Sequence, residues 1–336
     1  MPSPRPSRRP VLGLLVLVLL VLVAAASSLA VGSRAIDLAS VWRVLLSPDG
    51  SDTAVIVREL RLPRTILAAL VGMALGTAGT LMQGHTRNPL ADPGLLGVTA
   101  GASFAVVLGI HVLGVRGVGG YVWFALAGAA AASAVVFAIG SAGGRGPSPL
   151  GLVLAGAAVS ALLSSVTTAV VLRDEQTLNA FRFWAVGSVA GRDQEVAVTV
   201  APFLVVGLLV ALVHSSALNV LTLGEDVARG LGQHVGLTRA VGLAAVMLLA
   251  GAATAACGPI GFLGLVVPHV ARFLTGPDHR WLVPHSALLG AVLMLVADVV
   301  GRVVVRPGEL QVGIVLALVG APFFVALVRR RRLVSL

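Results

Sequence analysis

The charged residues of this chain leave long gaps. Asp, Glu, Lys and Arg are absent from 11–33, 65–84, 93–115, 117–144, 146–172, 196–224, 240–271, 281–297 and 310–328. A bilayer core about 30 Å thick needs about 20 apolar residues per helix, and a central charge there costs about 2.5–3.5 kcal/mol. The stretch 240–271 is too long for one ordinary span, and Gly258-Pro259 interrupts it. Proline lacks the amide that would continue a helix and glycine loosens it, so two passes fit better. The pattern predicts an all-α polytopic membrane protein with ten spans, near 11–32, 62–83, 94–113, 118–140, 150–172, 196–214, 236–256, 259–274, 281–304 and 310–328.

Ten spans place both termini on one face, where Arg5, Arg8, Arg9 and the run Arg329 to Arg332 belong together; basic flanks favour the cytoplasm. The basic start, apolar run and Ala-Ser-Ser-Leu-Ala also resemble a signal peptide, but the apolar stretch is longer than a usual cleaved core, which favours a retained first span. The longest outer connections are then 33–61 and 173–195, and the main inner ones 84–93, 141–149, 215–235 and 275–280. None has room for a water-soluble domain, so the whole of 1–336 reads as one transmembrane domain.

Composition agrees. Apolar residues make up 57% of the 336, charged residues only 11%, and mean hydropathy is +0.99; a soluble chain carries about a quarter charged residues. The net charge is +10. Every basic residue is arginine, and because these sit between apolar spans they do not mark a nucleic-acid surface. The topology divides the arginines almost evenly between the faces, against the positive-inside rule. The outer ones therefore pair with outer acids or dock a partner. The single Cys257 excludes an internal disulfide and a cysteine metal cluster.

An echo runs through the sequence: Gly94-Leu-Leu-Gly-Val follows the second span and Gly261-Phe-Leu-Gly-Leu the seventh. Five helices apart, such copies would enter the membrane from opposite sides, as in an inverted repeat, although a match this short in a Gly/Leu-rich chain also arises by chance. Gly72/Gly76 and Gly97/Gly101 have GxxxG spacing and predict close helix packing.

Candidate chemistry is sparse. A phosphate-binding P-loop needs a lysine, and the chain has none, so any ATP hydrolysis must belong to a separate subunit. The acid well inside a span is Asp298, with Arg302 four residues on in the favourable order; a neutralised structural pair is the simpler reading than a proton relay. Ser160, Ser164 and Thr168 recur every four residues on one helix face. They line a polar path or bond back to their own carbonyls. Segment 215–235 holds Gly224, Glu225, Asp226, Ala228, Arg229 and Gly232; Gly224 and Gly230 bracket a short helix that starts with the two acids, at its positive end. His269, His279 and His285 have no metal-ligand spacing and read as helix-end or loop residues. Neither a nucleophile–base set nor a metal cluster is visible, so no cofactor is expected in this chain.

The motifs together resemble the FecCD-type permeases of ABC importers. They are Arg61-Leu-Pro-Arg64; Gln83; Arg87-Asn-Pro-Leu-Ala-Asp-Pro-Gly-Leu-Leu-Gly97; Leu154-Ala-Gly156; Phe183-Trp184 with Gly187-Ser188; Leu223 to Gly232; Gly258-Pro-Ile-Gly-Phe-Leu-Gly-Leu-Val-Val-Pro-His-Val-Ala-Arg272; Gly276-Pro-Asp-His-Arg280; Ala297-Asp298; and Gly320-Ala-Pro-Phe-Phe324. They cover about 55–328 in consistent order. The resemblance implies a type II importer fold and a permease for iron–siderophore, haem or vitamin B12 in the bacterial cytoplasmic membrane. It implies a second permease copy (the same chain or a paralogue), with the path on the two-fold axis near the fifth and tenth spans. It also implies two ABC ATPases carrying ATP–Mg and gripping Glu225 to Arg229, and an external binding protein docking on Arg61, Arg64 and Arg302. Asn88 and Leu90 match the inner gate. Glu309-Leu310-Gln311 departs from the Glu-Leu-Pro of some members, so that bend is expected to differ, and no gate residues align in 141–149. An ion-coupled secondary carrier of a small polar substrate remains the alternative class.

Overall fold

The computed structural model describes residues 8–329, apart from 33, 48, 116, 143–147, 193 and 307. Among the described residues there is helix and no strand. In chain order the helices are α1 (Arg8–Ala30), α2 (Leu38–Leu46), α3 (Asp52–Val55), which continues as a π-helical segment Ile56–Arg61, α4 (Leu62–Thr86), a 3-10 turn Pro93–Leu96, α5 (Val98–Leu113), α6 (Val118–Gly140), α7 (Pro149–Arg173), α8 (Glu175–Ala185), α9 (Gln194–Thr222), α10 (Glu225–Gly230), α11 (Val235–Cys257), α12 (Leu263–Thr275), α13 (His279–Val304) and α14 (Val312–Arg329).

Each predicted span falls on one helix. Among the described residues seven helical segments are long and apolar enough to cross a membrane; the helices at Val98–Leu113, Leu263–Thr275 and Val312–Leu327 are apolar but shorter. Two of the short ones start later than predicted. Gly97 sits at φ +73 and Phe262 at φ +64, left-handed positions that stop the helix from extending back to residue 94 or 259. α9 is longer than the predicted 196–214 and carries Pro202 internally. The split at Gly258-Pro259 is as expected: α11 ends at Cys257 and α12 opens at Leu263.

α4 and α11 form the centre, buried over most of their length. Small residues allow this. On α4, Gly72, Gly76 and Gly79 meet the carbonyls of Gly290, Ser286 and Gly264, each where a Cβ would stand. Gly101 of α5 is likewise closed against Gly128 of α6. The Gly72/Gly76 spacing thus packs α4 on α13 within one chain; Gly97 instead forms the turn that opens α5.

The two echoed segments meet beside the middle of α4. Pro93 comes within 3.0 Å of where a Gly264 Cβ would stand, and Leu75 O within 3.3 Å. α4 and α11 run in from opposite ends, so α5 and α12 start near one another and leave in opposite directions. At one end lie α2, α8 and the α13–α14 connection; at the other lie the 87–97 loop, α10 and the α12–α13 connection.

Trp184, Ser188 and Gly258 belong to one junction. Ser188 N donates to Cys257 O at 2.7 Å and Gly313 N to Gly187 O at 3.0 Å, tying the α8–α9 turn to the end of α11 and the start of α14. At the Glu309-Leu310-Gln311 bend, Leu310 N donates to Gly301 O at 3.0 Å, and Ile314 N to Gln311 O at 3.0 Å as α14 begins.

Candidate functional site

At the α10 end, α9 stops at Thr222 and Gly224 turns the chain at φ +119, a conformation that needs glycine. α10 then places Glu225 and Asp226 in its first turn and Arg229 in its last, the order a helix dipole favours. Ala228 is fully buried and seats the short helix, while Asp226 is fully exposed. Gln233 N returns to Ala228 O at 2.9 Å, and its Nε2 to Ala217 O at 2.9 Å. Gly232 sits in the turn that follows α10.

Glu225 is the hub of this end. Its Oε2 accepts from Arg229 at 3.0 Å and its Oε1 from Arg239 of α11 at 2.6 Å. Arg239 is buried; Arg229 is exposed. Burial pushes the Glu225 carboxyl up, but Arg239, Arg229 and then Arg87 outweigh it and hold it below the usual range.

Arg87 connects the neighbouring loop. It closes α4 in a left-handed conformation (φ +49), and its Nη2 donates to Leu221 O at 2.6 Å, one turn before α10. Asn88 follows immediately, its Oδ1 accepting from Leu90 N at 2.9 Å; both residues are exposed. The predicted gate and the predicted coupling helix are therefore physically joined. Loop 141–149 contains 143–147, outside the described residues.

Sequence reasoning found α10 and missed Arg239 and Arg87, whose roles depend on contacts between distant segments. It also missed the histidine pair behind them. His85 Nε2 and His214 Nε2 lie 3.2 Å apart with stacked rings, filling the space that Gly242 of α11 leaves. His279 is fixed by Asn219 Oδ1 at 2.9 Å. Among the described residues no group of three or more His, Cys, Asp or Glu could hold a metal ion.

At the α2 end the three predicted docking arginines turn inward. Arg61 Nη1 donates to Leu29 O at 2.6 Å and Ala30 O at 2.9 Å, and Nη2 to Arg34 O. Arg302 Nη1 donates to Ser28 O at 2.9 Å and Val31 O at 3.0 Å, and Nη2 to Ser28 Oγ at 2.7 Å. Both cap the carbonyl end of α1, where a cation meets unsatisfied acceptors and the negative end of the dipole. Arg64 bonds Asp298 through Nη2 at 2.8 Å and Nε at 3.1 Å, and Glu309 through Nη1 at 2.9 Å. Arg302 Nη2 meets Asp298 Oδ2, the oxygen that Arg64 Nε also bonds, at 2.9 Å. Arg61 and Arg302 are only 6% and 3% exposed. Arg64, reaching half-exposed Glu309, lies nearest the surface. Asp298 stands between two guanidiniums, the structural pair expected, now a triad.

On α7, Ser164 and Thr168 are exposed and Ser160 half-buried. Thr168 Oγ1 donates back to Ser164 O at 2.9 Å, and neighbouring Ser165 and Thr167 do the same to Ala161 O and Leu163 O. The Thr168 hydroxyl is thus satisfied within its own helix, while the face stays open to a neighbour.

The profile of the FecCD transport family matches residues 17–330. The ferric enterobactin transport system permease protein FepD of Escherichia coli (strain K12) is 46% identical over 316 residues, covering 94% of both chains. The relative named "Probable siderophore transport system permease protein YfiZ", of Bacillus subtilis (strain 168), is 41% identical over 317 residues, covering 94% of this chain and 95% of its own. A metal-chelate type ABC transporter solved in an inward-facing conformation matches with a TM-score of 0.83 at 30% identity, over 95% of this chain and 99% of its own. With a helical, multi-pass membrane architecture and the family profile spanning nearly its whole length, the chain belongs to the FecCD transport family.

Proposed function

We propose that this chain is the permease subunit of an ABC importer for a ferric siderophore, working by alternating access with ten crossings and both termini in the cytoplasm. The two siderophore-transport relatives support the substrate class; haem and cobalamin are the other outcomes of a substrate test. Two copies, identical or paralogous, form the path along a two-fold axis lined by the open faces of α7, with Ser160, Ser164 and Thr168, and α14. The α10 end faces the cytoplasm. Two ATPase subunits, which carry the ATP–Mg that this chain does not bind, grip α10 there. An extracytoplasmic binding protein docks at the α2 end, with Arg64 as the contact and Arg61 and Arg302 supporting it from beneath by holding the end of α1.

The observation that carries the reading is the connection around Glu225. A short charged helix presents Asp226 fully to solvent, while Glu225 is bonded to Arg239 of the buried α11. Force applied to α10 therefore reaches the centre of the bundle through Arg239 and the gate loop through Leu221 and Arg87. The test is Glu225→Arg with Asp226→Arg in the assembled importer. Stimulation of ATPase activity by the loaded binding protein should disappear; normal stimulation would refute the coupling role. Growth of a deletion strain on single iron sources identifies the cargo.

A further inference from the structure

The nine residues of α2 carry an exposed apolar stripe that the transport reading does not use. Leu38, Trp42 and Leu46 recur every four residues, on one face of the helix, and are 58%, 66% and 68% exposed. Scattered surface hydrophobes need no explanation, but an ordered stripe with a tryptophan at its centre does. Rolling the helix cannot hide it, because another face is already filled. Val41 and Val44 are buried with Ile36, Ala54 and Val57, and Leu29 of α1 packs against the same cluster. A third, polar strip carries Arg43 and, at the end of the helix, Ser47, both exposed.

We infer that α2 is an interfacial helix whose Leu38–Trp42–Leu46 stripe is seated in the membrane, between the acyl chains and the headgroups of the leaflet at this end. Four observations favour lipid as the occupant. Nine residues span about 13.5 Å, far short of the 30 Å or so of a bilayer core, so the helix lies along the surface rather than crossing. It hangs from α1, a strongly hydropathic span with little of its surface covered by protein. Ile36 N, bonded to Ala30 O at 2.9 Å, and the Asp37 cap on Ser40 N at 2.9 Å start α2 directly where α1 stops. Tryptophan prefers the membrane–water boundary, where its ring is apolar and its N–H reaches polar groups. The neighbouring Arg43, about 100° further round the helix, is placed at headgroup level to meet lipid phosphates. Membrane seating on one side and the Val41/Val44 cluster on the other would fix the height of the α3–π-helix entry into α4, and with it the Arg61–Arg64 platform.

Site-directed spin labelling tests this without an activity assay. The native Cys257 is fully buried, so labels report the introduced cysteine. Labels are placed singly at Trp42→Cys, Leu38→Cys and Arg43→Cys in full-length permease reconstituted in phosphatidylethanolamine/phosphatidylglycerol vesicles. Collision with oxygen is then compared with collision with a water-soluble nickel chelate. Labels at 42 and 38 are expected to favour oxygen, and the label at 43 the nickel chelate. Equal nickel accessibility at 43 and 42 would overturn the proposal. So would shielding of 42 from both reagents in the isolated permease, which would mark contact with a second copy. Nickel access to 42 that is lost only on adding the binding protein would overturn it as well and assign the stripe to docking.

Discussion

Arg302 and Ser28 lie 274 residues apart in the chain, yet the guanidinium takes both the Ser28 carbonyl, at 2.9 Å, and its hydroxyl, at 2.7 Å. Ser28 Oγ in turn meets Thr65 Oγ1 at 2.7 Å. The last turn of α1 is thereby fastened to both α13 and α4. Without Arg302, Asp298 keeps Arg64, but the Ser28 and Val31 carbonyls lose their donor, and each buried polar group left unsatisfied costs about 1–3 kcal/mol. Arg302→Gln is expected to lower the thermal midpoint in detergent sharply and to expose the end of α1 to proteolysis. Arg306→Gln, at a more exposed arginine bonded only to Gly32 O among the contacts described here, is the mild comparison.

The close approach of α4 to α12 gives a second expectation. A Cβ on Gly79 would occupy the place of the Gly264 carbonyl, a backbone atom that cannot swing aside, whereas one on Gly236 meets nothing within 4 Å. Overpacking a filled core costs about 1–3 kcal/mol, more where backbone must move. Gly79→Ala should reduce the yield of monodisperse permease on size exclusion, and Gly236→Ala should leave it unchanged.

Much of this was legible in sequence because lipid imposes a strong rule: helices that cross it must be long, apolar and nearly free of charge. Gaps between charged residues therefore located the seven long apolar helices and the three shorter ones found among the described residues, and Gly258-Pro259 announced the α11–α12 break. The starts of α5 and α12 were misplaced because left-handed residues such as Gly97 and Phe262 leave no periodic signal. Arg61 and Arg302 looked like surface charges because burial depends on where the end of α1 comes to rest, which no local pattern records. Their inward bonds also bear on the weak positive-inside bias: two of the arginines that the predicted topology places outside are structural caps. Arg239 and Arg87 stayed unseen for a similar reason, since their partners are Glu225 and a main-chain oxygen on other helices.

The depressed Glu225 carboxyl predicts how α10 responds to acid. A carboxylate whose folded pKa lies below its ordinary 4.5 contributes stability that is complete above that value. The contribution is lost as pH falls through the folded pKa. Hydrogen exchange across 223–232 should therefore be protected evenly from neutrality down to about pH 5, allowing for intrinsic rates, and lose protection only below the ordinary carboxylate range. Arg239→Gln removes the strongest charge partner and should move that loss to higher pH. An unchanged profile would separate Arg239 from the stability of α10.

The decisive expectation concerns transmission. If Arg239 and Arg87 carry motion from α10, and the ATPases grip its exposed side as proposed, changing either should separate ATP hydrolysis from uptake without dissociating the ATPases. Arg239→Glu sets two carboxylates against each other, and Arg87→Met cuts the bond to Leu221 O. In proteoliposomes each should lower substrate moved per ATP by at least about fivefold, the lower end of common coupling energies, while the ATPase still co-purifies. The double change Glu225→Arg with Arg239→Glu restores an opposite-charge pair and should recover part of the loss; Arg239→Lys should retain most of the wild-type ratio. A damaged fold would lower uptake in the swap as much as in the single variant, so recovery distinguishes a mechanical link from simple destabilisation. Wild-type coupling in both single variants, alongside loss in Glu225→Arg with Asp226→Arg, would keep α10 as the grip and discard Arg239 and Arg87 as its route into the bundle.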